Sequence, residues 1–298
     1  MLKKHKAQYL LNEPLSKHTS WKVGGPADIF FIPKNRDDLS QFLKLNQDKP
    51  ITWLGNGTNV LVRDGGIRGV VISTKKSLNE IKKETDNTCR VEAGASCMDL
   101  ALFAKKNKLG PAAFFSGIPG SVGGALVMNA GSFGHETWDF VDSVEVIDRK
   151  GIIHHLDSND FSLSYRTVKF PFLLWFVSCL IQFPGSETTT KSELKAMRDQ
   201  RFKTQPLSED TCGSVFKNPK PEHAGDLIER AGLKGYTIGS SSISMKHANF
   251  IVNKGGATSA NIEDLIEHVQ SVIKTKFNVN LETEVRIIGE KIHVDVKQ

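Results

Sequence analysis

Three short segments, far apart in the chain, carry side chains that could do acid–base chemistry. They are residues 164–166 (Ser-Tyr-Arg), 212–219 (Cys-Gly-Ser-Val-Phe-Lys-Asn-Pro) and 281–286 (Leu-Glu-Thr-Glu-Val-Arg). The first offers a cation, the second a hydroxyl near a lysine, and the third a carboxylate. Together such groups could hold an anionic substrate and move one proton.

Two glycine-rich loops precede these segments, at residues 54–59 and 117–124. Glycines let successive backbone N–H groups face an anion, so both loops could hold the pyrophosphate of a large cofactor. A plain β-turn remains open for the first loop, and a glycine-rich packing contact for the second. The candidate cofactor-binding residues are Gly55, Asn56, Gly57, Thr58, Asn59, Gly117, Pro119, Gly120, Ser121, Gly123, Gly124, Asn129 and Gly131.

Neither loop matches the common nucleotide-binding fingerprints. The first lacks the third glycine of the dinucleotide motif and precedes a strand rather than a helix. Because neither loop carries the lysine of a phosphate-binding P-loop, hydrolysis of a nucleoside triphosphate is disfavoured.

The composition favours a globular protein that acts on a phosphate-bearing small molecule. Hydrophobic residues make up 39% of the 298, enough to bury a sizeable core. The net charge of +6 suits an anionic ligand, but the 39 lysines and arginines are not interleaved with aromatic residues. Nucleic acid is therefore not an expected partner.

The cysteines and the hydropathy pattern argue against a metal-binding protein and against a membrane protein. The four cysteines form no CxxC pair and have no histidine at metal-ligand spacing, so we expect free thiols and no metal. The strongest apolar run, residues 170–183, is shorter than the roughly 20 residues that span a bilayer. With no signal peptide evident, the prediction is a cytoplasmic protein without a membrane partner.

The hydrophobic pattern predicts an α/β unit over residues 1–74, with strands at 27–32, 51–54, 60–62 and 69–72. A helix from Asp37 would turn Leu39, Phe42, Leu43 and Leu45 inward. An exposed connection is expected at 75–88, a strand at 90–94, and a helix at 98–108 with Met98, Leu100, Ala101, Leu102 and Phe103 inward. Antiparallel strands should fill 142–183, the last of them, 170–183, being buried.

A polar linker at 185–190 then leads into two helices, 192–203 and 261–277. The three-four spacing of apolar residues in the second helix indicates core packing rather than a cofactor contact. The predicted domains are 1–74, 75–187 and 188–298.

In these motifs and others, the sequence resembles a known family, the UDP-N-acetylenolpyruvoylglucosamine reductases (MurB family). The matching stretches are ordered along almost the whole chain: residues 18–28, 54–59, 117–131, 164–166, 213–219, 231–236, 246–253 and 281–289. The short stretch from residue 166 to 183 is similar to the subclass that lacks an inserted tyrosine-bearing loop, the type II subclass. Two positions depart from the family pattern, since Thr58 replaces a common Ser and Phe133 a common Tyr.

The resemblance implies an α+β fold: a two-domain FAD-binding unit of the vanillyl-alcohol-oxidase (PCMH) type and a C-terminal α+β substrate-binding domain. It implies reduction of UDP-N-acetylglucosamine-enolpyruvate to UDP-N-acetylmuramate for peptidoglycan synthesis. FAD would be bound non-covalently and NADPH would be the co-substrate. A monomer is expected.

The family also implies roles for individual residues. Arg166 would clamp the substrate carboxylate, Ser214 would deliver a proton, and Glu284 would stabilise the charge that develops. Lys217 and Asn218 would contact the substrate. Periodicity alone does not separate Glu284 from Glu282, because strand alternation puts both on one face.

Two other functions remain open on the residues alone. One is a flavin oxidase of the same fold that uses oxygen on another substrate. The other is a nucleotide-sugar binding protein without catalysis, which the joint presence of Arg166, Ser214 and Glu284 disfavours.

Overall fold

The computed structural model describes residues 7–292. Side chains at the helix starts explain several helix boundaries, because Asn35, Ser96, Ser121 and Thr258 each accept a first-turn backbone N–H. The described residues form six α-helices: α1 (Arg36–Leu45), α2 (Cys97–Lys106), α3 (Val122–Met128), α4 (Lys191–Thr204), α5 (Ala224–Arg230) and α6 (Ser259–Phe277).

The same residues form eighteen strands, most of them short. They are β1 (Gln8–Pro14), β2 (Pro26–Ile32), β3 (Ile51–Leu54), β4 (Val60–Val62), β5 (Ile67–Ser73), β6 (Ile81–Lys83), β7 (Thr88–Glu92), β8 (Gly131–Ser132), β9 (His135–Glu136), β10 (Val141–Asp148), β11 (Ile153–Asp157), β12 (Ser162–Ser164), β13 (Thr167–Lys169), β14 (Leu174–Gln182), β15 (Thr237–Ile238), β16 (Ser241–Ile243), β17 (Ile251–Asn253) and β18 (Arg286–Ile288).

The described chain divides into two compact units, each built from separate stretches of sequence. The first unit comprises residues 7–10, Phe30–Asn56 and Val71–Arg201. The second comprises Leu11–Ile29, Gly57–Val70 and residues 202–292. A four-stranded sheet has the order β1-β2-β5-β3.

The first unit is organised on a five-stranded antiparallel sheet of order β11-β10-β14-β7-β6. Apolar side chains of the sheet pack with α2 and α3 into one core, in which Leu100, Phe115, Leu126, Val146 and Phe176 are almost fully buried. This burial is the main stabilisation of the unit.

An ion network fastens α1 to this sheet. Arg36 donates through Nε to Glu92 at 3.2 Å and through Nη1 to Glu145 at 2.7 Å. The hydroxyl of Ser178 also donates to Glu145. Burial alone would raise the pKa of Glu145, but the hydrogen bond from Ser178 and the charge of Arg36 outweigh it and lower that pKa.

In the second unit, α6 covers a core that it shares with α5 and the sheet β15-β16-β17. Its buried residues, Ile262, Leu265, Ile266, Val269 and Ile273, repeat at three-four spacing. Strand β18 pairs with β4 in parallel register. The prediction that the apolar stripe of α6 packs into the core is confirmed.

Much of the predicted secondary structure is confirmed. Strands β2, β3 and β4, the helices α1, α2, α4 and α6, and the antiparallel strands of residues 142–183 all occur where they were expected, within a few residues. Four residues, 170–173, separate β13 from β14. None of the helices in residues 7–292 has the length and apolar character needed to cross a bilayer.

Several burial predictions were wrong. Leu45 is 73% exposed, Met98 40% and Leu102 44%, so the inward faces of α1 and α2 are narrower than expected. Cys97 and Ala104 fill the inner face of α2 instead, because small residues let the helix approach its neighbours closely.

Other elements were missed or misplaced. The connection expected to be exposed contains β6, and the buried part of the run 170–183 begins only at Leu174. Helices α3 and α5 were not predicted, because each has seven residues, too few for a clear period. The three-domain division is a prediction that the two compact units do not test.

Candidate functional site

Two of the three chemistry-bearing segments pair with each other in the second unit. Glu284 donates its backbone N–H to the carbonyl of Val215 at 2.8 Å, and Lys217 donates to the carbonyl of Glu282 at 2.9 Å. An antiparallel bridge joins Phe216 to residue 283 between them. The segments that carry Ser214 and Glu284 therefore lie side by side.

Residues 249–250 lie along the other edge of residues 214–216. Ser214 forms an antiparallel bridge with Phe250, and Val215 donates its N–H to the carbonyl of Asn249 at 2.9 Å. The buried side chain of Asn249 accepts from Phe216 N–H at 2.9 Å and donates to Phe216 O at 2.8 Å. Backbone groups on both sides of Val215 are thus fixed.

The two residues predicted to contact substrate have partners within the same unit. Lys217 Nζ lies 3.5 Å from a carboxylate oxygen of Glu282, whose side chain is 76% exposed. Asn218 Oδ1 accepts the N–H of Ala224 at 3.1 Å, at the start of α5. Glu282 is the more exposed of the two glutamates in its segment, so the environment separates it from the half-buried Glu284 where periodicity did not.

The first glycine loop requires glycine at position 57. Gly57 has φ +67°, and a Cβ there would lie 1.9 Å from the carbonyl oxygen of His18. The buried thiol of Cys212 donates to the carbonyls of Gly57 and Val60 at 3.6 and 3.5 Å. Burial raises the pKa of Cys212 to about 12, so it stays a neutral donor. Cys212 therefore ties this loop to the segment of Ser214.

Asn59 connects the same loop to the segment of Glu284. Its side-chain Nδ2 donates to the carbonyl of Glu284 at 3.0 Å, and its own carbonyl accepts from Arg286 at 3.1 Å. Asn59 was predicted as a cofactor ligand; within the second unit it braces the backbone around Glu284.

The second glycine loop, in the first unit, leads into α3. The first three N–H groups of this helix have protein acceptors: Val122 and Gly123 donate to carbonyls of the segment 93–95 at 2.8 Å, and Gly124 donates to Ser121 Oγ at 3.2 Å. Two of the loop glycines are required by packing, since a Cβ on Gly123 would lie 2.9 Å from the segment 93–95 and one on Gly117 would lie 2.3 Å from a serine hydroxyl.

The remaining loop residues are more accessible. Pro119 is exposed and Gly120 half-buried. Gly55 approaches the second loop so closely that a Cβ would lie 2.7 Å from Ser121 Oγ. Glycine is therefore favoured at position 55 as well.

Arg166 lies in the first unit, on the turn between β12 and β13, with φ +54°. Its guanidinium donates to the carbonyls of Asn129 at 3.3 Å and Gly131 at 2.9 Å, and Glu136 lies 3.7 Å away. Only 16% of its side chain is exposed. The guanidinium is thus oriented by a fixed frame rather than placed on an open surface.

Asn129 ends α3 in the left-handed conformation, and both ends of its side chain are used. Its Nδ2 donates to Glu136 at 2.6 Å, while its Oδ1 accepts from Trp138 N–H at 3.2 Å. Asn129 and Gly131, predicted as cofactor ligands, therefore help to hold Arg166.

Two family models match the chain. Residues 205–288 match the model described as UDP-N-acetylenolpyruvoylglucosamine reductase, C-terminal domain, and residues 27–157 match the model described as FAD binding domain. A protein named UDP-N-acetylenolpyruvoylglucosamine reductase from Alkalilimnicola ehrlichii is 45% identical over 280 residues, covering 93% of this chain and 94% of the relative. The chain belongs to the UDP-N-acetylenolpyruvoylglucosamine reductase family.

Further comparisons agree with membership of this reductase family. A relative of the same name from Legionella pneumophila strain Paris is 47% identical over 284 residues, with 94% of each chain covered. The crystal structure of UDP-N-acetylenolpyruvylglucosamine reductase (MurB) from Thermus caldophilus aligns with a TM-score of 0.78 at 29% identity, covering 95% of this chain and 98% of that one. The expected α+β class, with an FAD-binding region followed by the family's C-terminal domain, is confirmed.

The first glycine loop fits the FAD that members of the reductase family hold. Four consecutive backbone N–H groups, at residues 55–58, donate to no protein acceptor within residues 7–292, and Gly57 is buried. Gly57 is buried and its three neighbours are half-buried, so this run of N–H groups could face an anionic ligand such as a diphosphate. In the second loop, by contrast, the first turn of α3 is already paired.

Sequence reasoning missed several residues that support the candidate residues in each unit. Asn249 lies in a stretch quoted for the reductase-family resemblance, yet a buried asparagine has no signature in one sequence. Glu136 and Cys212 were likewise not assigned roles. Asn249 and Cys212 act through hydrogen bonds to residues distant in the chain, and Glu136 accepts from Asn129 seven residues away. Only coordinates reveal these bonds.

Proposed function

We propose that this protein is an NADPH-dependent flavoenzyme that reduces the enolpyruvyl group of UDP-N-acetylglucosamine-enolpyruvate. The product would be UDP-N-acetylmuramate, a peptidoglycan precursor. The observation that carries the proposal is the pairing of the Ser214 segment with the Glu284 segment, in a chain of the reductase family whose residues 27–157 match an FAD binding domain.

When bound, FAD would supply the hydride chemistry that links oxidation of NADPH to reduction of the substrate double bond. Gly55, Asn56, Gly57 and Thr58 would hold its diphosphate through their backbone N–H groups. The second loop runs into the first turn of α3, and the hydrogen bonds of that turn would hold the loop in place.

Arg166 binds the carboxylate attached to the double bond in this proposal. Addition of hydride to an enol ether requires that this carboxylate take up electron density, and a guanidinium can donate two parallel hydrogen bonds to the carboxylate. The carbonyls of Asn129 and Gly131 fix the plane of the guanidinium before substrate binds. The side chain therefore loses little conformational freedom on binding.

Ser214 supplies the proton that completes reduction at the neighbouring carbon. A serine hydroxyl is a weak acid, so the transfer requires stabilised negative charge on the substrate and a nearby group to restore the proton. Glu284, on the adjacent segment, would stabilise the carboxylate of the intermediate through a shared hydrogen bond. That role requires a shielded, protonated carboxyl.

Lys217 and Asn218 contact the substrate in the same proposal. The ammonium of Lys217, 3.5 Å from the exposed carboxylate of Glu282, would offer a positive charge to a substrate phosphate. We further propose that the protein is cytoplasmic and monomeric, with the three predicted domains.

A spectrum of the purified protein, followed by two additions, tests the function. We expect absorbance near about 450 nm that denaturation releases, that NADPH bleaches under argon, and that UDP-N-acetylglucosamine-enolpyruvate restores. Absence of flavin would favour a binding protein. If the bleached absorbance returned rapidly in air but not on addition of the enolpyruvyl substrate, the result would favour an oxidase.

A further inference from the structure

The backbone just after Ser214 is held from both edges. On one edge, Glu284 donates its N–H to the carbonyl of Val215 at 2.8 Å. On the other, Asn249 makes three hydrogen bonds: its carbonyl accepts Val215 N–H at 2.9 Å, and its side chain bonds both the N–H and the carbonyl of Phe216. Residues 215 and 216 thus form a rail between Asn249 and Glu284.

The carboxamide of Asn249 replaces a strand partner at this place. Its Oδ1 and Nδ2 satisfy Phe216 as a neighbouring peptide would, at 2.9 and 2.8 Å. Asn249 is only 3% exposed, and Phe216 only 2%. Water therefore cannot substitute for these bonds, and an unpaired buried peptide group would force the rail to shift.

Asn249 is itself anchored. Its backbone N–H donates to His247 Nδ1 at 3.2 Å. Burial, with the nearby charge of Lys234, lowers the pKa of His247, which keeps Nδ1 free to accept. The segment 247–250 therefore presents Asn249 to the rail in one conformation.

We propose that Asn249 is a positioning residue for the proton-transfer step, setting the place of Ser214 relative to Glu284 by holding the backbone of Val215 and Phe216. This inference rests on the proposed function, because it needs Ser214 to deliver a proton. Catalytic groups must be held within about 0.5 Å of the productive geometry, and a shift of 1 Å can cost roughly 100-fold in rate.

Two substitutions and one control test the role. Asn249→Ala removes all side-chain bonds to Phe216. Asn249→Asp keeps the shape and the acceptor but sets a carboxylate oxygen against the carbonyl of Phe216. Val269→Ala, in the buried stripe of α6, is the control, since it weakens the same core and makes no hydrogen bond to residues 214–216.

The readout separates the two half-reactions by stopped flow. We expect both Asn249 variants to bind FAD and to be reduced by NADPH at rates within about twofold of the wild type, while reoxidation by UDP-N-acetylglucosamine-enolpyruvate slows roughly 100-fold. Val269→Ala should leave both rates near the wild-type values. Equal slowing of both half-reactions in the Asn249 variants, or reoxidation within threefold of the wild-type rate, would overturn the proposal.

A measurement without flavin or substrate adds a second test. Hydrogen exchange of the wild type and the variants, followed on peptides spanning residues 213–217, should show faster exchange in both Asn249 variants and not in Val269→Ala. Unprotected exchange at Phe216 in the wild type would overturn the proposal even if a variant failed to fold. A wild type reduced by NADPH but not reoxidised by the enolpyruvyl substrate would overturn the proposed function instead.

Discussion

The backbone N–H of Glu284 donates to the carbonyl oxygen of Val215 at 2.8 Å. Val215 follows Ser214 directly, so this one bond aligns the segment of Glu284 with the segment of Ser214. The two bonded residues are more than 60 positions apart in the sequence. If Ser214 and Glu284 have the proposed roles, this pairing holds their backbone segments in register, which suits a step that tolerates little misplacement.

Removal of the Ser214 hydroxyl should block one half of the reaction only. Ser214→Ala is expected to retain FAD and its reduction by NADPH, and to lose at least about 100-fold in reoxidation by the enolpyruvyl substrate, the scale of a missing general acid. Stopped-flow absorbance of the flavin measures both rates. Ser208→Ala, at an exposed serine of the same unit, is the control. Normal reoxidation in Ser214→Ala would refute the assignment.

Replacement of Arg166 should weaken transition-state binding. Arg166→Ala is expected to lower kcat/KM for the enolpyruvyl substrate about 100-fold, because a preorganised electrostatic donor is lost. This factor corresponds to a loss of about 3 kcal/mol in transition-state stabilisation. Arg166→Lys should recover only part of this, since an ammonium lacks the planar fork. Arg198→Ala, at an arginine whose side chain is 67% exposed on α4, should have no effect. A loss below tenfold in Arg166→Ala would show that Arg166 is peripheral.

A methyl group at position 57 should damage the first glycine loop. In Gly57→Ala the Cβ would collide with the carbonyl of His18, so we expect a loss of about 3 kcal/mol in the free energy of unfolding and weaker FAD binding. Gly255→Ala is the matched control, because Gly255 also has a positive φ, +100°, but open space around it. Denaturant titration and flavin release measure the two effects. Equal losses in both variants would assign the cost to backbone strain alone.

The ion network around Glu145 should make stability depend on pH. The pKa of Glu145 lies below its usual 4.5, since Ser178 and Arg36 outweigh burial, so the carboxylate stabilises the fold above that pH. This contribution is lost as the pH falls through the folded-state pKa. Glu145→Gln should therefore lose about 2 kcal/mol at pH 7 and less at about pH 4.

Thermal unfolding at the two pH values measures this difference. Glu187→Gln, at an exposed residue of the polar segment before α4, provides the control. A stability difference between wild type and Glu145→Gln that is the same at both pH values would contradict the network's role.

The cysteines should be unreactive in the folded protein. All four are buried and free, and burial raises the pKa of Cys89, Cys97 and Cys212 to about 12 and that of Cys179 further. Because the thiolate is the nucleophile, a thiol reagent at about pH 8 should label none of them before denaturation and four after it. Ser208→Cys should add one fast-reacting thiol. Rapid labelling of the native wild type would contradict the burial.

Local sequence patterns were enough to predict the elements with a clear hydrophobic period and the residues able to do chemistry. The apolar stripe of α6 and the strands on each side of the first glycine loop follow from local spacing, because side chains at period 3.6 or 2 share a face. Ordered motifs along the chain identified the family, and with it the FAD-binding expectation. Local patterns failed at α3, where seven residues are too few to show a period.

Which of these residues contact each other follows from the folded chain and not from local patterns. That Asn249 holds the rail beside Ser214, that Asn59 braces Glu284, and that Asn129 and Gly131 orient Arg166 all depend on hydrogen bonds between residues distant in sequence. Glu282 and Glu284 are equivalent by alternation; the family resemblance favoured Glu284, and the structure adds that Glu282 is exposed while Glu284 is half-buried. The physical reason is that burial and hydrogen-bond geometry arise from packing of the whole unit, and no local pattern records them.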